Sequence, residues 1–243
     1  MSILRIPALA ATLILSAAAC SPGAESDAQP NSGDEVSSAG YLTDVTYNAG
    51  AGVQTGAEDA PVTMIEYASI TCGHCKDFHN DVMKATVYDD YVATGKVKLI
   101  FREYPLNQID IAGFAIARCA GEENYFSVLD TFFNEQDEVI SAAQDGTILD
   151  KLKDVGSGYG LSADDVDNCI DDSDIRRQIA ASIDAGQGDG VNSTPSIFLN
   201  GERQETIESR TADGMAGILD GLLGVSSDET AAEPVVSENT DEG

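Results

Sequence analysis

The sequence predicts an α/β domain with a long helical block between its second and third core strands. Two apolar runs at residues 62–67 and 97–101 flank a helical segment, helical periodicity covers about 108–186, and a hairpin signal follows near residue 200. Because 42% of the 243 residues are hydrophobic, the chain suits one domain with a sizeable core and a tail at each end.

The first half of the predicted domain is a strand, a helix and a second strand. Residues 62–67 form the strand and residues 73–91 the helix, for which Gly95 is a suitable C-cap. Residues 97–101 form the second strand, which Pro105 ends. A strand, helix and strand of this length predict two parallel neighbours in one sheet.

The block at about 108–186 shows the apolar spacing of helices. One face carries an i, i+4, i+8 stripe that starts at Ile175, and Ser162 and Ser173 are typical N-cap residues. We interpret the apolar residues of this block as core residues.

A third strand and a final helix complete the predicted domain. Residues 196–199 form the strand, Asn200-Gly201 is a strong hairpin turn, and apolar residues from Met215 to Leu222 mark the helix. This order of elements is that of a thioredoxin-like fold with a helical insertion, which we assign to residues 41–224.

The chemistry of the chain is predicted by Cys72-Gly73-His74-Cys75, which lies between the first strand and its helix. A helix N-terminus favours negative charge, so Cys72 is expected to be held as a thiolate, the form that attacks disulfides. A zinc site that uses His79 is the alternative, but no second cysteine or histidine pair with suitable spacing is present.

The N-terminus predicts export. Residues 1–19 contain one base, an apolar run and small residues before Cys20, which together are typical of a signal peptide. Small residues before a cysteine also resemble the lipobox of bacterial lipoproteins, and lipidation of Cys20 would leave four of the five cysteines to pair. Ordinary cleavage after residue 19 is the alternative. We expect a periplasm-facing protein anchored to a membrane through Cys20.

The charge of the chain excludes one class of partner. The formal net charge of −29 arises from 42 acidic against 13 basic residues, and such a surface repels nucleic acids. Residues 20–40 are rich in Ser, Gly, Pro and acids, and residues 225–243 are acidic without a base. We expect a disordered tether and a disordered tail in these two segments.

Four segments resemble the DsbA family of bacterial thiol-disulfide oxidoreductases, over roughly residues 41–224. They are the active-site run at 66–75, the second strand at 96–106, the proline loop and hairpin at 190–201, and the Ala-rich helix around 115–120. The resemblance implies an enzyme that exchanges disulfides with other proteins and needs no bound cofactor beyond its own redox-active cysteine pair.

The resemblance also assigns roles in the active-site run. It implies that Cys72 is the nucleophile that forms a mixed disulfide, that Cys75 resolves it, and that His74 stabilises the thiolate. Glu66 lies in an apolar strand where an acid is costly to bury, and related proteins use such an acid to relay a proton to and from the second cysteine. An acid on a strand face that reaches solvent is the alternative.

Thr194-Pro195 matches the cis-proline loop of the family. There the Thr194 backbone would pair with an extended substrate chain beside Cys72. A trans proline at the first residue of a strand is the alternative.

Cys119 and Cys169 are expected to form a structural disulfide, because an exported chain meets an oxidising compartment. Two buried free thiols are the alternative.

The direction of electron flow stays open in the sequence. Gly73 replaces the proline usual in DsbA proteins, and Thr194 is the residue that bacterial disulfide isomerases tend to carry before the cis proline. The first hypothesis is a monomeric envelope oxidase that gives disulfides to exported proteins and is reoxidised by a membrane partner; a reductase would instead receive electrons from a thioredoxin-type partner. The second is an isomerase or reductase with the same residues, and the third is a peptide-binding lipoprotein without catalysis.

Overall fold

The computed structural model describes residues 46–48 and 52–225. The predicted signal peptide, Cys20, the tether and the tail beyond residue 225 lie outside the described residues. Among the helices of the described part, none combines the length and the apolar character that crossing a membrane requires.

The described residues contain a six-stranded sheet with the order β1-β2-β4-β3-β5-β6. Its strands are β1 (Thr46–Asn48), β2 (Gly52–Thr55), β3 (Val62–Ala68), β4 (Val97–Glu103), β5 (Ser196–Leu199) and β6 (Glu202–Gln204). The pair β3 and β4 is parallel, as predicted, and the other neighbouring pairs are antiparallel. The predicted fold class, α/β with a thioredoxin-like core, is confirmed.

Two strands were missed by the sequence analysis, because β1 and β2 are too short to show an alternating pattern. They add an antiparallel edge to β4. Gly52 begins β2 with φ +94°, and a Cβ there would collide with the carbonyl oxygen of Phe101. This close approach of two backbones requires glycine.

The predicted helix over 73–91 consists of two parts. Helix α1 (Gly73–Phe78) continues as a π-helix over His79–Val92. The wider winding is still present at its end, where the Ala93 N–H donates to the carbonyl of Tyr88, five residues earlier. Ala93 is the C-cap, and Gly95, the predicted cap, lies in the following turn with φ +74°.

Six helices form the insertion between β4 and β5: α2 (Gln108–Cys119), α3 (Tyr125–Asn134), α4 (Gln136–Asp145), α5 (Ile148–Gly158), α6 (Ala163–Asp171) and α7 (Ser173–Gly188). Ser162 caps α6 as predicted, but the cap of α7 is Asp172, one residue before the predicted Ser173. The Asp172 carboxylate takes the role because it accepts from two N–H groups of the first turn. Helix α8 (Ala212–Leu223) follows β6.

A disulfide joins Cys119 in α2 to Cys169 in α6, as predicted, with a Cα–Cα distance of 6.2 Å. The alternative of two free thiols is therefore wrong. The bond closes a loop across most of the insertion.

The two faces of β3 meet different parts of the molecule. Met64 belongs to the large core, and Glu66, two residues on, shares its face. Tyr67 points to the opposite face, where it packs with Phe198. Glu66 is therefore directed into the interior of the protein.

Candidate active site

The cysteine pair lies at the junction of β3 and α1. Cys72 is the N-cap of α1, with an extended backbone, and its carbonyl accepts from the N–H of Cys75 at 3.0 Å. Both cysteines are free thiols; Cys75 is buried and Cys72 is partly exposed. The sulfur of Cys72 is thus reachable from solvent, and the sulfur of Cys75 is not.

Asp110 holds the turn that leads into Cys72. This fully buried carboxylate accepts from the Ser69 hydroxyl at 3.0 Å and from the Thr71 N–H at 2.9 Å and hydroxyl at 3.1 Å. It also accepts from the N–H groups of Leu106, at 2.7 Å, and Asn107, at 3.2 Å. One side chain of α2 therefore fixes the active-site turn to the loop after β4.

Gln136, the first residue of α4, fixes the same turn from another side. Its side-chain amide donates to the carbonyl of Ile70 at 2.7 Å and to that of Cys72 at 3.1 Å. Gln136 is almost fully buried, so these bonds satisfy polar groups that water does not reach.

The two thiols have very different affinities for a proton. Hydrogen bonds with Cys75, with Thr194 and with the N–H groups of Cys75 and His74 outweigh the effect of burial and lower the pKa of Cys72 to about 5. Burial and the hydrogen bond with Cys72 raise the pKa of Cys75. At neutral pH Cys72 is a thiolate, the form that attacks disulfides, whereas Cys75 keeps its proton and must lose it before it can act as a nucleophile.

The His74 side chain, in the first turn of α1, is turned mostly to solvent. It is 90% exposed and lies 4.0 Å from the Asp77 carboxylate. The backbone N–H of His74 is one of the groups that lower the pKa of Cys72, after the hydrogen bonds with Cys75 and Thr194. A role for the imidazole in stabilising Cys72 remains a prediction.

His79, which suggested a zinc site, is engaged in a protein contact. Its Nε2 lies 3.0 Å from an Asp130 oxygen, and its ring stacks on Phe133. Among the described residues, no three His, Cys, Asp or Glu side chains lie together as a metal would need.

Glu66 is buried, with 1% of its surface exposed, so the alternative of an acid that reaches solvent is wrong. Neither carboxylate oxygen has a hydrogen-bond partner among the protein groups that the structure describes. Burial raises the pKa of Glu66 to about 8, although the positive charge of Arg210 acts in the opposite direction. A carboxyl with this pKa can gain or lose a proton near neutral pH.

The loop before β5 lies against Cys72. The peptide bond between Thr194 and Pro195 is cis, and Cys72 Sγ lies 3.5 Å from the Thr194 carbonyl oxygen. A pocket of about 490 Å³ opens beside them. Its lining residues include Asp77, Phe78 and Asp81 from the helix, Ser193, Thr194 and Pro195 from the loop, and Arg210.

Three residues of the site were not predicted from the sequence: Asp110, Gln136 and Arg210. Asn107 and Asp110 have the spacing of a capping box, which the structure contains, and this signal was available. Arg210 is the last base of the chain, a weak signal. Gln136 carries no local signal, because only the fold brings it to Cys72.

The comparisons with known sequences identify one family. A family model described as thioredoxin matches residues 48–221. A Rickettsia bellii protein with the provisional name protein-disulfide oxidoreductase is 26% identical over 151 residues, which are 62% of this chain and 57% of that protein. Disulfide bond formation protein D of Bacillus subtilis is 24% identical over 60% of this chain and 66% of its own length. The chain thus spans less than two thirds of either relative.

Solved structures share the fold. Wolbachia pipientis α-DsbA1 is 27% identical with a TM-score of 0.61, over 70% of this chain and 90% of that one. A protein-disulfide isomerase from Novosphingobium aromaticivorans has the same TM-score at 21% identity, over 70% of this chain and 96% of that one, which supports the fold alone. The family model, the shared fold and the cysteine pair at the start of α1 show that this chain belongs to the thioredoxin family, in the form found in DsbA-like thiol-disulfide oxidoreductases.

Proposed function

We propose that this protein oxidises thiols of exported proteins through Cys72 and Cys75. The observation that carries the proposal is the asymmetry of the pair: a partly exposed sulfur with a pKa near 5 lies in front of a buried one whose pKa is raised. A stabilised Cys72 thiolate stabilises the reduced enzyme, and this makes the disulfide form the stronger oxidant.

The reaction starts from the Cys72–Cys75 disulfide. A substrate thiolate attacks Cys72 Sγ, the bond to Cys75 breaks, and Cys75 leaves as a thiolate that takes a proton from Glu66. A second substrate thiolate then attacks the substrate sulfur of the mixed disulfide, which forms the substrate disulfide and releases Cys72 as a thiolate. The substrate has lost two electrons, and the enzyme holds them as two reduced cysteines.

In the reverse direction the same groups act in the opposite sense. Glu66 accepts the proton of Cys75, the Cys75 thiolate attacks Cys72 Sγ, and the substrate leaves with a reduced sulfur. Glu66 fits both directions because its pKa lies close to neutrality.

Substrate binding is assigned to the Thr194-Pro195 loop. The Thr194 carbonyl lies beside Cys72 Sγ, so an extended chain paired with this loop would bring its own sulfur to the nucleophile. The pocket between α1 and the loop would receive a neighbouring side chain of the substrate.

An isomerase or reductase is the second candidate, and Gly73 between the cysteines favours it. The reduction potential of the pair separates these activities. A value near about −120 mV would support an oxidase, about −180 mV an isomerase and about −270 mV a reductase. The potential is measured by equilibration with glutathione and mass spectrometry of the alkylated protein.

Replacement of Cys72 by serine tests catalysis itself. We expect Cys72→Ser to abolish both the reduction of insulin and the oxidative refolding of reduced ribonuclease. Asp174→Asn, on the exposed surface of α7, is a control that should leave both activities unchanged. Full activity of Cys72→Ser would exclude Cys72 as the nucleophile, whereas a wild type without either activity would support the non-catalytic peptide-binding alternative.

We further propose a monomer that faces the periplasm, is held at a membrane through lipidated Cys20, and is served by a membrane or thioredoxin-type redox partner. The sequence of residues 1–20 supports the anchor. Incorporation of labelled palmitate into the wild type but not into Cys20→Ala would establish it, and release of unlabelled wild type into the soluble fraction would refute it.

A further inference from the structure

Arg210 lies between the substrate pocket and the protein interior. It ends a short 3-10 helix, Glu208–Arg210, directly before α8. Its guanidinium carbon lies 5.7 Å from the centre of the Phe78 ring, a position typical of a cation–π contact, and Arg210 lines the pocket beside Cys72. The side chain is thus held by α1 on the side of the active site.

One end of the guanidinium has no hydrogen-bond partner in the described part of the chain. Arg210 Nη1 is buried and unpartnered, whereas Nη2 donates a long bond of 3.5 Å to the carbonyl of Gln204. Both oxygens of Glu66 are also buried and unpartnered. A cationic donor and both oxygens of an acid thus lie in the interior, and none of these three atoms takes part in a hydrogen bond within the described residues.

The charges that face Arg210 identify its electrostatic partners. Glu66 and Cys75 interact with it attractively, from β3 and α1, and Arg203 of β6 interacts repulsively. Asp77 and Asp81, with His74, lie across the pocket. Within the interior, Glu66 and Cys75 are the groups whose charge changes during disulfide exchange.

We propose that Arg210 is a positioning residue for proton transfer, which stabilises the negative charge that Glu66 and Cys75 share while a disulfide is made or broken. This inference rests on the proposed function, since it assigns a cation to the Glu66 relay. The negative charge is on Cys75 when that thiolate leaves or attacks, and on Glu66 when the proton lies on sulfur. Arg210 acts on both locations, so it lowers the free energy of the charged pair throughout the transfer.

The proposal predicts a change in Glu66 that can be measured without turnover. In the wild type and in Arg210→Met, the carboxyl carbon of Glu66 is titrated by NMR in the reduced protein. Removal of the cation should raise the pKa of Glu66 by about one unit, whereas Arg210→Lys should keep most of the wild-type value. Arg177→Met removes an equally charged but exposed side chain of α7 and should change nothing.

The same variants are then compared in the reaction of the oxidised enzyme with a small dithiol between pH 5 and pH 9. We expect Arg210→Met to slow the reaction about tenfold at neutral pH and to move the midpoint of its pH profile upward, with rescue by Arg210→Lys. In a Glu66→Gln background the shift of the midpoint should disappear.

The outcomes separate two kinds of failure. An unchanged Glu66 pKa in folded Arg210→Met overturns the role of Arg210, whatever the activity. A shifted pKa together with a wild type that does not react with the dithiol overturns the proposed function instead. If Arg210→Met does not fold, Arg210→Gln replaces it, and a Glu66 pKa equal to that of Arg210→Lys would likewise contradict the proposal.

Discussion

Two buried glutamates on neighbouring strands have opposite surroundings. Glu103, at the end of β4, has no exposed surface and accepts two hydrogen bonds of 2.7 Å from Arg118 and one of 3.0 Å from the Tyr125 hydroxyl. Glu66, on the adjacent β3, is equally buried and accepts none. Burial alone therefore does not define the role of an acid in this protein; the partners do.

The satisfied acid belongs to the framework of the molecule. Arg118 also donates to the Gln178 side chain, and it precedes Cys119, whose disulfide reaches α6. Glu103 thereby joins β4 to two helices of the insertion, to α2 through Arg118 and to α3 through Tyr125. Glu66 makes no side-chain hydrogen bond within the described residues, which is consistent with the proton relay proposed for it.

The largest expected effect comes from breaking the satisfied pair. Glu103→Gln leaves Arg118 buried without its counter-charge and should lower the free energy of unfolding by about 3–5 kcal/mol, measured by urea denaturation. Glu66→Gln is the matched change on the neighbouring strand, and it should not destabilise the protein at neutral pH. Equal losses in the two variants would refute the distinction between the acids.

Removal of the Cys119–Cys169 disulfide tests how much the framework of the insertion contributes to stability. The double variant Cys119→Ser and Cys169→Ser should lose about 2–5 kcal/mol of unfolding free energy, because the bond closes a loop with a sequence separation of 50 residues. The reduction potential of Cys72 and Cys75 should stay the same. A large change in that potential would show that the framework and the active site are not separate.

The unsatisfied acid should make stability depend on pH. Its pKa is 4.5 in the unfolded chain and about 8 in the folded protein, so between these values the unfolded state loses the proton that the folded state keeps. The contribution of Glu66 to the free energy of unfolding should therefore be greatest below pH 4.5 and fall as the pH rises to 8. We take the free energy of unfolding of the wild type minus that of Glu66→Gln, each measured by urea denaturation at every pH. This difference should fall by at least about 1.4 kcal/mol over this range. A flat difference would mean that Glu66 is not buried as a neutral acid.

The smallest expected effect concerns the turn around the nucleophile. Gln136→Leu removes the donors to Ile70 and Cys72 and should cost about 1 kcal/mol of stability, in urea denaturation. Because the turn before Cys72 loses two hydrogen bonds, the rate at which the Cys72 thiol is alkylated should also change. Ile140→Ala, on the exposed face of the same helix, should leave that rate unaltered.

The sequence predicted those parts of the site that are local in the chain. The cysteine pair, its position at the start of a helix, the parallel pair of core strands around that helix and the Thr194-Pro195 loop follow from short patterns. Arg210 and Gln136 could not be assigned, because only tertiary packing brings them to the site, and the capping-box spacing of Asp110 indicates a helix start but not its contact with the turn before Cys72. The π-helical winding of His79–Val92 also escaped prediction, since a helical pattern of apolar residues does not distinguish it from an α-helix.

The anchoring of the cysteine turn has a consequence for the modularity of this fold. Asp110 and Gln136 both belong to the helical insertion, yet they hold the backbone on which Cys72 sits. A minimal chain that kept the sheet, α1 and α8 would retain both cysteines and Glu66 but lose the supports of the turn. The insertion is therefore not an accessory that could be trimmed away, and the active site cannot be transplanted as a strand and a helix alone.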